Sequence, residues 1–207
     1  MKRRPEVAEE PVDHTVDGLL PPGQHQVAEP PVMHYGRVPE RDVNDWTFTV
    51  GGATVTGVEQ VFDLDQVVGL PQTRQVCDMH CATRWSVLGV HWQGVRARDV
   101  IELAPPAAEV SDVLVFAEFG YAANVPLADL QDAGALLATH INGEPLTAER
   151  GAPLRLVLPQ LYTWKGPKWL RGWNYLVPGD ADQGFWEQHG YHPRGDPWLE
   201  ERYSTPS

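Results

Sequence analysis

The run Cys77-Asp-Met-His-Cys-Ala-Thr-Arg-Trp-Ser86 holds both cysteines of a 207-residue chain, interleaved with an aspartate, a histidine and an arginine. Four readings suit these residue types. Cys77, His80 and Cys81 can be zinc ligands, with His91 completing a set that usually needs a second cysteine pair. One thiol can be a nucleophile, its pKa lowered by Arg84 and His80. A single thiolate can ligate a soft transition metal carried by an organic cofactor, other segments gripping the cofactor's anionic end. Both thiols can equally be plain buried side chains. With only two cysteines the chain is not a disulfide-rich scaffold.

The single-thiolate reading requires a cationic, loop-borne anion site, and one is present downstream. Arg150-Gly-Ala-Pro-Leu-Arg155 is followed by Tyr162-Thr-Trp-Lys-Gly-Pro-Lys-Trp-Leu170, so Arg150, Arg155, Lys165 and Lys168 lie close together in a chain with 16 Lys and Arg in all. Glycine lets the backbone approach an anion, and the cations neutralise it. Arg155 stands inside an apolar strand pattern, where a charge needs a partner.

Around these two stretches the chain reads as one α+β domain of many short strands, scattered short helices and many loops. Residues 1–31 contain six prolines and six acidic side chains and little bulky apolar surface, which predicts a flexible or loosely docked tail. Trp46–Val50 alternates as a strand and, across Gly51-Gly52, Ala53–Thr56 reads as its hairpin partner. Phe62–Leu70 suggests a short helix, and so does Val95–Leu103, which stops before Pro105. Gln75–Cys77 and Ser86–Val90 look extended. Asp112–Ala117 is the clearest buried strand, and Leu154–Leu158 is another. Leu127–Ala138 reads as mixed helical turns. From Gly179 onward an irregular aromatic segment wraps the core through Phe185, Trp186, Tyr191 and Trp198.

The balance of 16 basic and 28 acidic side chains gives a net charge of −12, which argues against duplex nucleic acid and anionic membrane surfaces. No apolar run approaches a membrane span. The N-terminal Met1-Lys-Arg-Arg-Pro lacks the apolar segment of an export signal, so a cytoplasmic protein is expected.

Several motifs in order match a known family. They are His34-Tyr-Gly-Arg-Val-Pro39, His80-Cys-Ala-Thr-Arg-Trp-Ser86, Trp92-Gln-Gly-Val95, Gly120-Tyr121, Asn142-Gly-Glu-Pro-Leu146, Gly151-Ala-Pro-Leu-Arg155, Tyr162–Leu170, Gly184-Phe-Trp-Glu187 and Gly195-Asp-Pro-Trp198. On these the chain, over roughly His34 to Tyr203 and within a domain expected to span residues 32–207, resembles the sulfite-oxidase-like molybdopterin oxidoreductases, in their small, single-domain, haem-less bacterial branch. The resemblance implies a sulfite-oxidase-type fold with mixed sheets, and a molybdenum–molybdopterin cofactor. It assigns Cys81 as the metal ligand and leaves Cys77 a structural or free thiol. It puts Arg150, Arg155, Gly166 and Lys168 on the cofactor's phosphate and pterin, and His34 and Tyr35 on an N-terminal loop touching it. Tyr121 falls where sulfite oxidases keep a substrate-side tyrosine, expected to hydrogen-bond the substrate oxygen. Arg150 departs from the histidine or asparagine that members often carry there. The implied activity is oxygen-atom transfer to or from a small sulfur-containing or similar oxo substrate. A separate electron-transfer partner is implied too, because the chain has neither a haem-attachment motif nor a cysteine set for an iron–sulfur cluster. A different class remains beside it: a non-catalytic zinc-binding or structural protein built on Cys77, His80 and Cys81.

Overall fold

The computed structural model describes residues 11–16, 18–40 and 45–204. Its longer strands carry most of the buried apolar side chains. In chain order the strands are β1 (Val12–His14), β2 (His25–Gln26), β3 (Thr47–Gly52), β4 (Gln60–Asp63), β5 (Gln72–His80) and β6 (Trp85–Arg96). Then come β7 (Asp112–Ala117), β8 (Ala122–Pro126), β9 (Leu136–Ile141), β10 (Glu144–Pro145), β11 (Arg155–Val157) and β12 (Leu170–Leu176). The helices are short: α1 (Leu64–Val68), α2 (Ala97–Leu103) and α3 (Leu127–Leu130). A capping box starts α1, with Asp63 accepting from the Gln66 backbone and Gln66 reaching back to the Asp63 N–H.

Two sheets form. One is ordered β1-β5-β6-β9-β10, with β11 also on β9 and β2 on β6; the other is β4-β3-β12-β7-β8. Strand β12 is the spine of the second, parallel to β3 and antiparallel to β7. Phe48, Val50, Val115, Val125 and Trp173 from this sheet pack with Val95, Leu137 and Leu156 from the first to make the larger core. Trp173 meets Phe48 edge-on at 4.9 Å, a favourable geometry for two rings. A second cluster, holding Cys77, Met79, Cys81, Trp85 and Trp92, covers the other face of the first sheet.

Three sequence expectations change. Ala53–Thr56 is no hairpin partner: β3 pairs with β4 instead, and Thr54 only bridges Pro106. The helical turns expected through Ala138 end at Leu130, and Leu136–Ile141 is strand. The third concerns the tail. Residues 1–10 lie outside the described residues, but β1 adds in parallel to the edge of β5, and β2 to β6. Edge pairing satisfies backbone groups and needs no apolar side chain, so composition alone misses it.

Candidate functional site

Strands β5 and β6 are joined by a tight turn at Cys81–Arg84. The Cys81 carbonyl accepts from the Arg84 N–H at 2.9 Å, and the Cys81 N–H donates to the Trp85 carbonyl at 2.9 Å. Arg84 closes the turn with a φ of 75°. This turn holds Cys81 at the wall of a cavity of about 350 Å³. The Thr83 hydroxyl, two residues on, donates to Cys81 Sγ at 3.1 Å.

The cavity gathers the expected site residues. Cys81, Tyr121, His34 and Tyr35 line it, and so do Arg150, Arg155, Gly166 and Lys168. Arg155 comes from β11 and is only 6% exposed. Its guanidinium donates to the Arg150 carbonyl at 3.3 Å and lies over the Trp92 ring, while its Nε–H has no partner among the described residues. Burial, then the Arg150 charge, push its pKa down to about 10. Lys168 is pushed down to about 8 by burial, Arg155 and Arg150. Among the described residues none of these three cations forms an ion pair. They rest on backbone oxygens instead: Arg150 on Pro30, and Lys168 on Met33 and Glu149.

Glycines make this convergence possible. Gly151 has a φ of 110°, and a Cβ there would press on both Lys168 and Arg155 at about 3.0 Å. Gly166 serves packing in the same way: its Cβ would lie 2.4 Å from the Leu156 carbonyl. Its cavity position thus has a structural cause independent of any ligand.

Lys165 does not join the cluster. It is fully buried, and its ammonium pairs with Glu187 at 2.7 Å and bonds the Asn124 and Pro193 carbonyls. The expected four-cation anion site therefore has three members. Tyr121 lines the cavity, but its hydroxyl donates to the Trp164 carbonyl at 2.6 Å, and burial raises the phenol well above its ordinary pKa. The expected donor to substrate is thus engaged by the protein's own backbone.

The two cysteines part company. Cys77 is fully buried in the second core cluster, and burial pushes its thiol up to about 12. His80 is buried with Nδ1 on the Ser86 hydroxyl at 2.8 Å, and burial lowers its pKa. Among the described residues no group of three or more His, Cys, Asp or Glu side chains is placed to hold a metal. This overturns the zinc set of Cys77, His80 and Cys81.

Much of the rest of the lining is aromatic: Tyr35, Tyr121, Trp164, Trp186 and Tyr191, together with Trp85 and with Trp169 beside Lys168. Tyr35 packs on Phe185 at 4.3 Å, and Trp186 on Tyr191 at 5.0 Å. Met33 and Thr83 line the cavity without having been singled out for it in the sequence, whereas Trp186 belongs to the aromatic segment expected to wrap the core. Only the position of Thr83 two residues after Cys81 carried a signal.

The donor set fits a sulfur-liganded, phosphate-bearing metal cofactor. It offers one thiol, three cations without an ion-pair partner among the described residues, and an orphaned buried guanidinium N–H. Comparisons with known proteins agree. The model of the oxidoreductase molybdopterin-binding domain matches residues 35–186. An uncharacterized oxidoreductase, YuiH of Bacillus subtilis, is 42% identical over 188 residues, 90% of this chain and 93% of that one. A putative protein-methionine-sulfoxide reductase subunit, YedZ1 of Azospira oryzae, is 25% identical over 77% of this chain and 60% of its own length. The sulfane dehydrogenase SoxCD of Paracoccus pantotrophus shares the fold, with a TM-score of 0.62 at 20% identity over 71% of this chain and 42% of that one. Shared motifs, cavity and family match lead to one statement: the chain belongs to the oxidoreductase molybdopterin-binding domain family and is a sulfite-oxidase-like molybdopterin oxidoreductase.

Proposed function

We propose that this enzyme holds molybdenum through Cys81 and transfers an oxygen atom to or from a small, neutral sulfur compound of the sulfoxide–thioether kind. The observation that carries the reading is the division of the cavity. Its only charged lining residues among those described are Arg150, Arg155 and Lys168, and much of the remaining lining is aromatic, with Tyr35, Tyr121, Trp164, Trp186 and Tyr191 besides Trp85 and Trp169. Cofactor phosphate takes up the cations, which leaves the aromatic wall for substrate. A sulfite dianion would meet no free positive charge there, whereas a sulfoxide with an apolar substituent loses little by leaving water. The similarity to YedZ1, described as a putative protein-methionine-sulfoxide reductase subunit, points the same way.

The bound cofactor supplies two-electron oxygen-atom-transfer chemistry. The chain's own residues bind and orient. Cys81 gives a soft donor. Arg150, Arg155 and Lys168 hold the phosphate, with His34 and Tyr35 against the cofactor from the N-terminal segment. The aromatic wall excludes water, and Tyr121 becomes a donor to the substrate oxygen by releasing the Trp164 carbonyl. Electrons come from or go to a separate protein.

Protein purified from a molybdenum-replete host should carry about one molybdenum per chain with releasable pterin. With an artificial electron carrier it should turn over alkyl sulfoxides. Turnover of sulfite without turnover of any sulfoxide would reverse the substrate reading. Stoichiometric zinc without pterin would remove the cofactor assignment at this site.

A further inference from the structure

The turn between β5 and β6 places a hydroxyl on the sulfur that the proposed function uses. We infer that Thr83 is a positioning residue acting through Cys81: its O–H holds the cysteine sulfur and sets the reduction potential of the metal bound there. The inference rests on Cys81 being the ligand.

Three observations support it. Thr83 Oγ1 lies 3.1 Å from Cys81 Sγ, a short contact for a hydroxyl donating to sulfur. The turn fixes that contact, because Cys81 is pinned at both its N–H and its carbonyl and Arg84 bonds back across it. Cys81 is also tethered through its carbonyl to the Gln24 amide at 3.0 Å, so the backbone carrying the sulfur is held in register with Thr83. The other sulfur near Thr83, Met33 Sδ, stands farther away at 4.0 Å. The cysteine is therefore the better acceptor for the one hydroxyl proton.

The consequence has a sign. A hydrogen bond donated to a ligand sulfur withdraws charge from it and stabilises the more electron-rich, reduced state. Deleting the donor should lower the midpoint potential. A hydroxyl that merely supported the turn would leave the potential alone.

The experiment uses the cofactor-loaded protein and reads molybdenum content, midpoint potential by redox titration, and the sulfur-to-metal charge-transfer absorption. Thr83→Val keeps the shape and removes the donor. Thr83→Ala removes it without a methyl group against the sulfur, and Thr83→Ser restores it. With normal molybdenum content, Thr83→Val and Thr83→Ala should each shift the one-electron equilibrium toward the oxidised state by about tenfold, roughly 59 mV. The absorption band should move with them, and Thr83→Ser should stay with the parent protein. Should Val and Ala both lose the metal while Ser keeps it at the parent potential, the hydroxyl requirement still stands. Unchanged potentials and band in Val and Ala, or a Ser variant that behaves like Val, would overturn the inference. A Cys81→Ser control separates the two readings: full molybdenum content with an unaltered band there would refute the ligand assignment itself.

Discussion

Cys77 and Cys81 sit on the same sheet face and have different chemistry because one is enclosed and the other opens on a cavity. A thiol pushed up to about 12 is neutral at working pH, so a small alkylating agent should label Cys81 of cofactor-free protein and leave Cys77 untouched until unfolding. Mass spectrometry of the two peptides checks this. Cys81→Ser should abolish turnover and Cys77→Ser should not. Arg155 makes a sharper case. A buried guanidinium without an ion-pair partner among the described residues burdens the empty protein, so Arg155→Met should raise the melting temperature of cofactor-free protein while emptying it of molybdenum in the cell. A lower melting temperature would show that Arg155 holds the fold instead.

Lys168 gives a pH dependence. Its folded pKa, down to about 8, lies below the unfolded lysine value, so above pH 8 the unfolded chain binds more protons and stability rises with pH. The Lys168 contribution to the stability of cofactor-free protein should therefore gain from pH 8 toward about pH 9.5, set against the opposite trend of the Cys77 thiol, which folding holds up to about 12 with or without Lys168. Lys168→Met should lack that gain. Thermal denaturation of both proteins across the window decides it.

Among the elements, the 3-10 turn Thr163–Lys165 and the one at Glu187–His189 are joined through Lys165 and Glu187. Removing one partner strands a buried charge, so Lys165→Met should cost about 3–5 kcal/mol. A Lys165→Met/Glu187→Leu double variant should recover a good part of it, as denaturant titrations would show. The pair also explains a misreading. Lys165 looks like part of a basic loop in the sequence, and nothing local reveals an acidic partner 22 positions away. Strand Asp112–Ala117 was legible to the residue because its run of apolar residues after Asp112 is unbroken. Strand β12, the spine of its sheet, was hidden: Arg171, Gly172 and Asn174 interrupt its apolar pattern, and its partners come from far along the chain. The helix at Ala97–Leu103 was legible because Pro105 marks its end.

Over the whole molecule, the family motifs made much of the membership of the cavity readable, since six of the nine contribute side chains to it, Tyr162–Leu170 the most, while Trp92–Val95, Asn142–Leu146 and Gly195–Trp198 contribute none. The state of each side chain was not readable, because partners such as the Trp164 carbonyl on Tyr121 are set by the tertiary fold. Tyr121→Phe should lower kcat by roughly 10²-fold with molybdenum content unchanged; an unaltered kcat would make Tyr121 a wall residue only. The net charge of −12 bears on electron exchange with another protein. Reaction with a basic electron carrier should slow as salt is raised, and stopped-flow rates at increasing ionic strength test it.

The segment at Pro30–Tyr35 crosses the cavity, and its oxygens on Pro30 and Met33 already occupy Arg150 and Lys168. An arriving phosphate must therefore compete with the chain's own carbonyls for these cations. Under the proposed assignment, cofactor loading would exchange these carbonyls for phosphate oxygens.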